Sequence, residues 1–241
     1  MSAASPLLPK PLTPTPSPRD HPESNLLAVT GGPRFHFFGY YDRSPFDSTG
    51  RYLLAHSVEP SDAFPTAASQ AVLEVWDLQG HNPPREIGRT TAWNWQMGSQ
   101  LQWIRGKDGQ PAIVFNIRRD DRFASQLVRA DGQPIATLDW PISAISPDGR
   151  WAASLDFSRM SVTHPTVGYA NQHHTIPPSG AEDGLRIIDM LTGEARLVVT
   201  LEQMKQWVAP IGDEMIQLVH AHGVQPYGRP YRVSTSLYHA G

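Results

Sequence analysis

Residues 142–157 read ISAISPDGRWAASLDF, and the reading of this stretch decides the fold. Its first part alternates small apolar with polar residues, the period of two that a strand requires. Ser146-Pro147-Asp148-Gly149 then reverses the chain. Proline brings its φ already set, and glycine takes the positive φ that a tight reversal needs. Trp151 to Leu155 runs back as a second strand. The stretch reads as an inner hairpin, and the fold depends on whether the chain repeats it.

Working outward, the chain does. Residues 44–54, SPFDSTGRYLL, are the same sentence with two residues inserted in the turn. A looser copy is LQWI at 101–104, the turn Gly106-Lys107-Asp108-Gly109, and AIVF at 112–115. The inner turns fall at Gly50, Gly109 and Gly149. Each is followed by an outer hairpin. Residues 72–78 (VLEVWDL) turn at Gly80 and return through 85–88; 125–129 turn at Gly132 and return through 134–138; 185–190 (LRIIDM) turn at Gly193 and return through 195–200. The aromatic run FHFFGYY at 35–41 favours a strand and precedes the first inner turn. Four short strands recurring every roughly 40 to 60 residues are the signature of propeller blades. The only stretch offering a helical apolar period is 201–208. The expectation is an all-β chain, an incomplete or truncated β-propeller of about three to four recognisable four-stranded blades.

Composition bounds the rest. The chain has 241 residues, no cysteine and a formal net charge of −3. Disulfides and thiol chemistry are excluded, and no general basic field draws nucleic acid or an anionic membrane. No apolar run approaches the roughly 20 residues that span a bilayer. Prolines 6, 9, 11, 14, 16, 18 and 22 make residues 1–25 an extended, disordered leader without the apolar region of a signal peptide. The expected compartment is therefore cytoplasmic. Residues 26–207 carry the blades, and 208–241 form a degenerate blade or an irregular tail. Three blades are too few for a closed ring. The chain is a fragment, or closes through another subunit, or uses the tail as a last blade.

Ser-Pro-Asp-Gly-Arg-Trp at 146–151, its near-copy at 44–54 and Trp76-Asp77 at the end of a third strand resemble the TolB-like, WD-related β-propeller repeats. More distantly the set is similar to the oligogalacturonate-lyase-type propellers. The resemblance covers about residues 35–200 and implies the propeller fold. The lyase-type resemblance further implies an acidic-sugar substrate and a divalent metal held by histidines and a glutamine. No such constellation maps onto positions here, so no metal residue is assigned and no cofactor is expected.

In such a blade the inner and outer tight turns share one face of the disc, and the remaining loops and crossings share the other. That second face receives the unusual residues, as working loops do. The crossings hold Tyr40, Tyr41, Asp42 and Arg43, then Trp93, Asn94, Trp95 and Gln96, then Asp139-Trp140-Pro141. The middle loops hold Arg118, Arg119 and Asp120, and then Asp156, Arg159 and Tyr169. Flat aromatics, forked guanidinium groups and amides together suit a sugar, particularly an acidic one. Trp103 and Trp151 read as packing between blades. His164, His173 and His174 share the longest loop, and His220 and His222 have H-x-H spacing, which by itself assigns no metal.

No G-x-S-x-G, H-E-x-x-H, P-loop or G-x-G-x-x-G motif occurs. The expected function is a binding module whose loop face takes a carbohydrate-like small molecule, acidic ones included, or a protein partner. The alternative is a lyase or hydrolase on acidic oligosaccharides, with Arg119 or Arg159 neutralising a carboxylate.

Overall fold

The computed structural model describes residues 29–207 apart from 41, 62, 81, 165 and 171–180. The leader at 1–25 and the tail at 208–241 thus lie outside the described residues, as do Tyr41, His173, His174, His220 and His222.

Among the described residues twelve strands, all in the compact unit that begins at Arg34, form three four-stranded antiparallel sheets, each a plain meander. The first contains β1 (Phe35–Phe37), β2 (Tyr52–Val58), β3 (Ala71–Asp77) and β4 (Arg85–Thr90). The second contains β5 (Gln102–Arg105), β6 (Pro111–Arg119), β7 (Arg122–Arg129) and β8 (Pro134–Leu138). The third contains β9 (Ala144–Ile145), β10 (Trp151–Ser154), β11 (Gly184–Asp189) and β12 (Ala195–Thr200). This is an all-β, incomplete propeller-like array, with the strand order and turn positions that the repeat predicts.

The sheets stack because their strands are apolar where they face one another. Leu54, Leu73, Val75 and Ile87 of the first sheet meet Ile113, Phe115 and Val128 of the second. Val114, Leu127 and Leu138 of the second meet Ala152, Ile188 and Met190 at the third. Strand β6 shows the logic. Ile113 and Phe115 point to one neighbour and Val114 to the other, so residues 112–116 are buried without a break. A strand covered on both faces loses its polar alternation.

Each sheet also carries one Arg–Asp clasp between its inner turn and the end of its third strand. Arg51 binds Asp77 at 2.6 Å and Arg150 binds Asp189 at 2.6 Å, while the second sheet reverses the charges, Asp108 to Arg129 at 3.0 Å. Hydrogen bonding from Arg51 holds the Asp77 carboxyl down at about 2. A depressed folded value means that the clasp's stabilisation is present above the ordinary carboxyl pKa and is lost as pH falls towards 2. Carboxyl NMR titration should give Asp77 a midpoint near 2 in the wild type. In Arg51→Gln it should return towards about 4; an unmoved midpoint would dismiss the clasp.

Four expectations are corrected. The run at 35–41 is not one strand: Phe35–Phe37 pairs with residues 56–58, and the next bridge is Phe46 to Leu53. Residues 38–40 and 42–45 bulge from the inner edge, opposite only Leu54 and Ala55. The middle loop expected to hold Arg118, Arg119 and Asp120 is a two-residue turn, because β6 runs through Arg119 and β7 starts at Arg122. Asp120 and Asp121 both take positive φ (48° and 60°), the backbone of a tight hairpin. The loop after β10 begins with a helix, α1 (Phe157–Thr163), whose N-cap Asp156 accepts from the Ser158 and Arg159 amides. Trp103 packs between sheets, its Nε1 donating to the Pro45 carbonyl at 3.0 Å. Trp151 does not; it is exposed, with the Arg150 guanidinium over its ring. Residues 201–207 are helical. Among the described residues no helix is long and apolar enough to cross a membrane.

Candidate functional site

A cleft of about 860 Å³ opens between the second and third sheets, on the face opposite the tight inner turns. Its walls come from three places: the Arg119–Arg122 turn, the crossing Asp139-Trp140-Pro141, and residues 154–158 with Glu182, Asp183 and Arg186. Arg119 reaches Asp139 at 3.2 Å across the mouth. Arg186 lies over Trp140, its guanidinium carbon 4.2 Å from the ring centroid, a cation–π stack that leaves Trp140 37% exposed. Asp183 is buried at the back, paired with Arg159 and 3.8 Å from Arg186. The walls carry six carboxylates (Asp120, Asp121, Asp139, Asp156, Glu182, Asp183) and three guanidinium groups (Arg119, Arg122, Arg186). Their excess is acidic.

The residues singled out from the sequence fall into three groups. Arg119, Asp120 and Asp156 line this cleft, with Arg159 just behind it through Asp183. Tyr40, Asp42 and Arg43 sit in the inner-edge bulge, where Tyr40 is half-buried and Asp42 exposed. Trp93, Asn94, Trp95 and Gln96 lie beside the first sheet. There Trp93 and Trp95 meet edge to face at 5.1 Å and both touch Phe37. The expectation of one shared loop-face constellation is therefore narrowed to the cleft.

Several members are structural. Trp93 is buried and donates to the Ser69 carbonyl at 2.8 Å; Trp95 donates to the Ala63 carbonyl at 2.9 Å. The buried Asn94 carboxamide accepts from the Met97 amide at 2.6 Å and donates to the Val167 carbonyl at 2.9 Å, tying a crossing to the long loop. Gln96 is exposed. Tyr169 is fully buried, stacked on Phe157 at 4.3 Å, with its hydroxyl accepting from Asn116 at 3.0 Å. Burial pushes that phenol well above its ordinary range. Arg118 donates to the Ala170 carbonyl and lies over the Phe123 ring at 4.6 Å. The reason is strand parity. Because β6 continues to Arg119, Arg118 stays on the side of the strand that Val114 and Asn116 occupy, under Ala170 and Phe123, while Arg119, the last residue before the turn, reaches out to Asp139.

Trp140, Asp139 and Arg186 complete the cleft. Asp139-Trp140-Pro141 stands in the sequence as a crossing on the working face. Arg186 is hidden inside the strand-like LRIID run and carries no sequence signal of its own. Among the described residues no group of three or more His, Cys, Asp or Glu could hold a metal ion.

No family model and no curated protein matches this chain. Among solved structures the chain is similar to one titled AtxE2 isopeptidase in its apo form, at a TM-score of 0.35 and 12% identity over 69% of this chain and 31% of that one. The chain thus spans about a third of that protein's length. A likeness this low carries no functional argument.

Proposed function

We propose that the protein is a propeller-type binding module whose ligand is a carbohydrate-like small molecule held in the cleft between the second and third sheets. The Ser-Pro…Gly-Arg turns at 44–51 and 146–150 support grouping it with the TolB-like, WD-related propellers. The observation that carries the reading is the half-exposed Trp140 beside a ring of carboxylates and guanidinium groups. An indole supplies a flat apolar face for a sugar ring, and charged groups accept from or donate to its hydroxyls. The volume lies in the range of small-ligand pockets, about 300–1,000 Å³.

The charge excess refines the ligand. Six carboxylates against three guanidinium groups favour a neutral or amino-bearing sugar in this cleft over a polyanion. The alternative, a lyase or hydrolase on acidic oligosaccharides, draws support from Asp120 and Asp156 facing one cleft. Against it, Arg159 is held by Asp183 and gives a substrate carboxylate no unpaired partner.

Isothermal titration with chitosan, chitin and galacturonate oligosaccharides tests both. The first two should bind more tightly than the third and be recovered unchanged. Trp140→Ala should weaken binding about tenfold, the equivalent of about 1.4 kcal/mol. An unchanged affinity in that variant, or preference for the acidic oligomer with release of unsaturated products, would sink the binding reading.

A further inference from the structure

Away from the cleft, the inner edge buries a guanidinium whose ion-pair partner, Asp42, is distant and half in solvent. Arg43, on the bulge that interrupts the first inner strand, reaches the segments that lead into both other sheets: Nη1 donates to Gln100 Oε1 and Nη2 to the Ser143 carbonyl. Its side chain is 14% exposed, and the nearest carboxylate, Asp42, stands 3.8 Å off and half in solvent. Among the described residues no carboxylate hydrogen-bonds this guanidinium. Burial accordingly lowers its proton affinity. A cation held only by neutral acceptors keeps much of its desolvation penalty.

The residues Arg43 grips also hold donors with nothing to donate to. Gln100 is 1% exposed and its Nε2 has no partner; Ser143 Oγ is buried and also has none. Gln100 takes φ of 59°, an unusual backbone for glutamine that fixes this side chain at the junction. Tyr169, electrostatically coupled to Arg43, has its hydroxyl oxygen occupied by Asn116 Nδ2, while among the described residues nothing accepts its proton. One residue further on, Ala170 receives a second guanidinium, Arg118, whose Nε and Nη1 are buried and unpartnered. Every orphan in this set can donate. Native proteins leave few buried polar groups unpaired, and such groups ask for an explanation.

We propose that Arg43, Gln100, Ser143 and Tyr169 form a binding site for a carboxylate anion, entered from the inner edge of the array beside Arg43 and Ser143. A carboxylate is acceptor-only, with room for about four hydrogen bonds. It would supply both the missing charge and the missing acceptors. Charge-assisted bonds of this kind are about twice as strong as neutral ones. The site draws on segments that belong with all three sheets, so its occupant also locks their mutual packing. This inference stands independently of the cleft: the sugar reading can fail while the anion site holds, and the converse.

The test is thermal unfolding in increasing acetate and galacturonate, with ionic strength held by chloride and galactose as the uncharged control. Both carboxylates should raise Tm saturably and galactose should not. A response to galacturonate alone would assign the site to a sugar acid, and a response to both to a carboxylate as such. Ser143→Ala removes only an unpartnered hydroxyl, so it should fold as the wild type yet need at least fivefold more anion for half-saturation. Gln100→Glu places a carboxylate against Arg43 and should raise Tm without anion while abolishing the response. The proposal is overturned if the wild type shows no saturable rise, or if both variants respond as the wild type does.

Discussion

Replacing Asn116 by leucine should lower the unfolding free energy by about 3–5 kcal/mol, from the loss of three buried hydrogen bonds whose partners each cost about 1–3 kcal/mol when left unpaired. Asn116 is fully buried on the side of β6 that Val114 occupies. Its Oδ1 accepts from the Ile142 amide at 2.7 Å, and its Nδ2 donates to the Ile142 carbonyl at 2.9 Å and the Tyr169 hydroxyl at 3.0 Å. One carboxamide thus closes a two-bond ring with the backbone that enters the third sheet and also anchors the long loop after α1. The sheet needs that anchor. Its inner strand β9 has only two paired residues, Ala144 and Ile145. Leucine keeps the branched outline of the side chain and removes its donors and acceptor, whereas Tyr169→Phe deletes a single bond and should cost about 1 kcal/mol. Urea unfolding of both variants and their double mutant gives the comparison. A loss under about 1 kcal/mol in Asn116→Leu would show that the third sheet is held by its apolar contacts alone.

Asn116 also marks where sequence reading succeeds and where it stops. The blades were legible because their signals are local. Ser146-Pro147-Asp148-Gly149 reverses the chain wherever it occurs, and Gly149 does take a φ of 73°. The inner-strand break was not legible. Apart from Gly39, FHFFGYY is rich in strand-favouring aromatics, and it is the backbone at Gly39, with φ 137° and the Met97 carbonyl 3.0 Å from where a Cβ would sit, that shows where it stops. Helix α1 was half legible, since Asp156 is a good N-cap, but Ser161, Val162 and Thr163 argue against a helix and tertiary contacts override them. At the candidate site the decisive quantity was parity. Arg118 and Arg119 are neighbours with opposite environments, and which one reaches solvent depends on where β6 ends. Tyr169 and Trp93 read as platforms because aromatic residues in loops often are. Their burial under Phe157 and Phe37 comes from chain segments distant in sequence, which no local pattern encodes.

The protein should lose stability on mild acidification, by about 2 kcal/mol between pH 7 and pH 5, through the single residue His56, taking about 1.4 kcal/mol per pH unit below an unfolded value of about 6.5. His56 is fully buried in β2, stacked on Phe37 at 4.7 Å. Its Nε2 accepts from the Ser99 amide at 2.9 Å and contacts Ser99 Oγ at 2.8 Å, so the neutral ring carries its proton on Nδ1. The Phe37 and Phe38 carbonyls lie close to the ring, but Nδ1 forms no well-made bond. Burial pushes the imidazole down to about 4. Above about pH 6.5 the ring is neutral in both states and contributes nothing; below it the unfolded chain binds a proton that the folded chain refuses until about pH 4. Stability therefore falls through that window and does not recover below it. His56→Gln keeps an acceptor for the Ser99 amide and cannot titrate. The variant should be less stable at pH 7, because the ring's packing is lost, yet flatter in pH by about 2 kcal/mol over the same interval. Urea unfolding of both proteins at pH 7, 6 and 5 measures the two slopes. Parallel slopes would mean that the acid sensitivity belongs to other groups and that His56 is protonated as readily folded as unfolded. A flatter variant would assign the acid sensitivity to the junction between the first sheet and the Gly98–Gln100 crossing, where Gly98 lies close enough to the ring that an added Cβ would meet it at 2.5 Å.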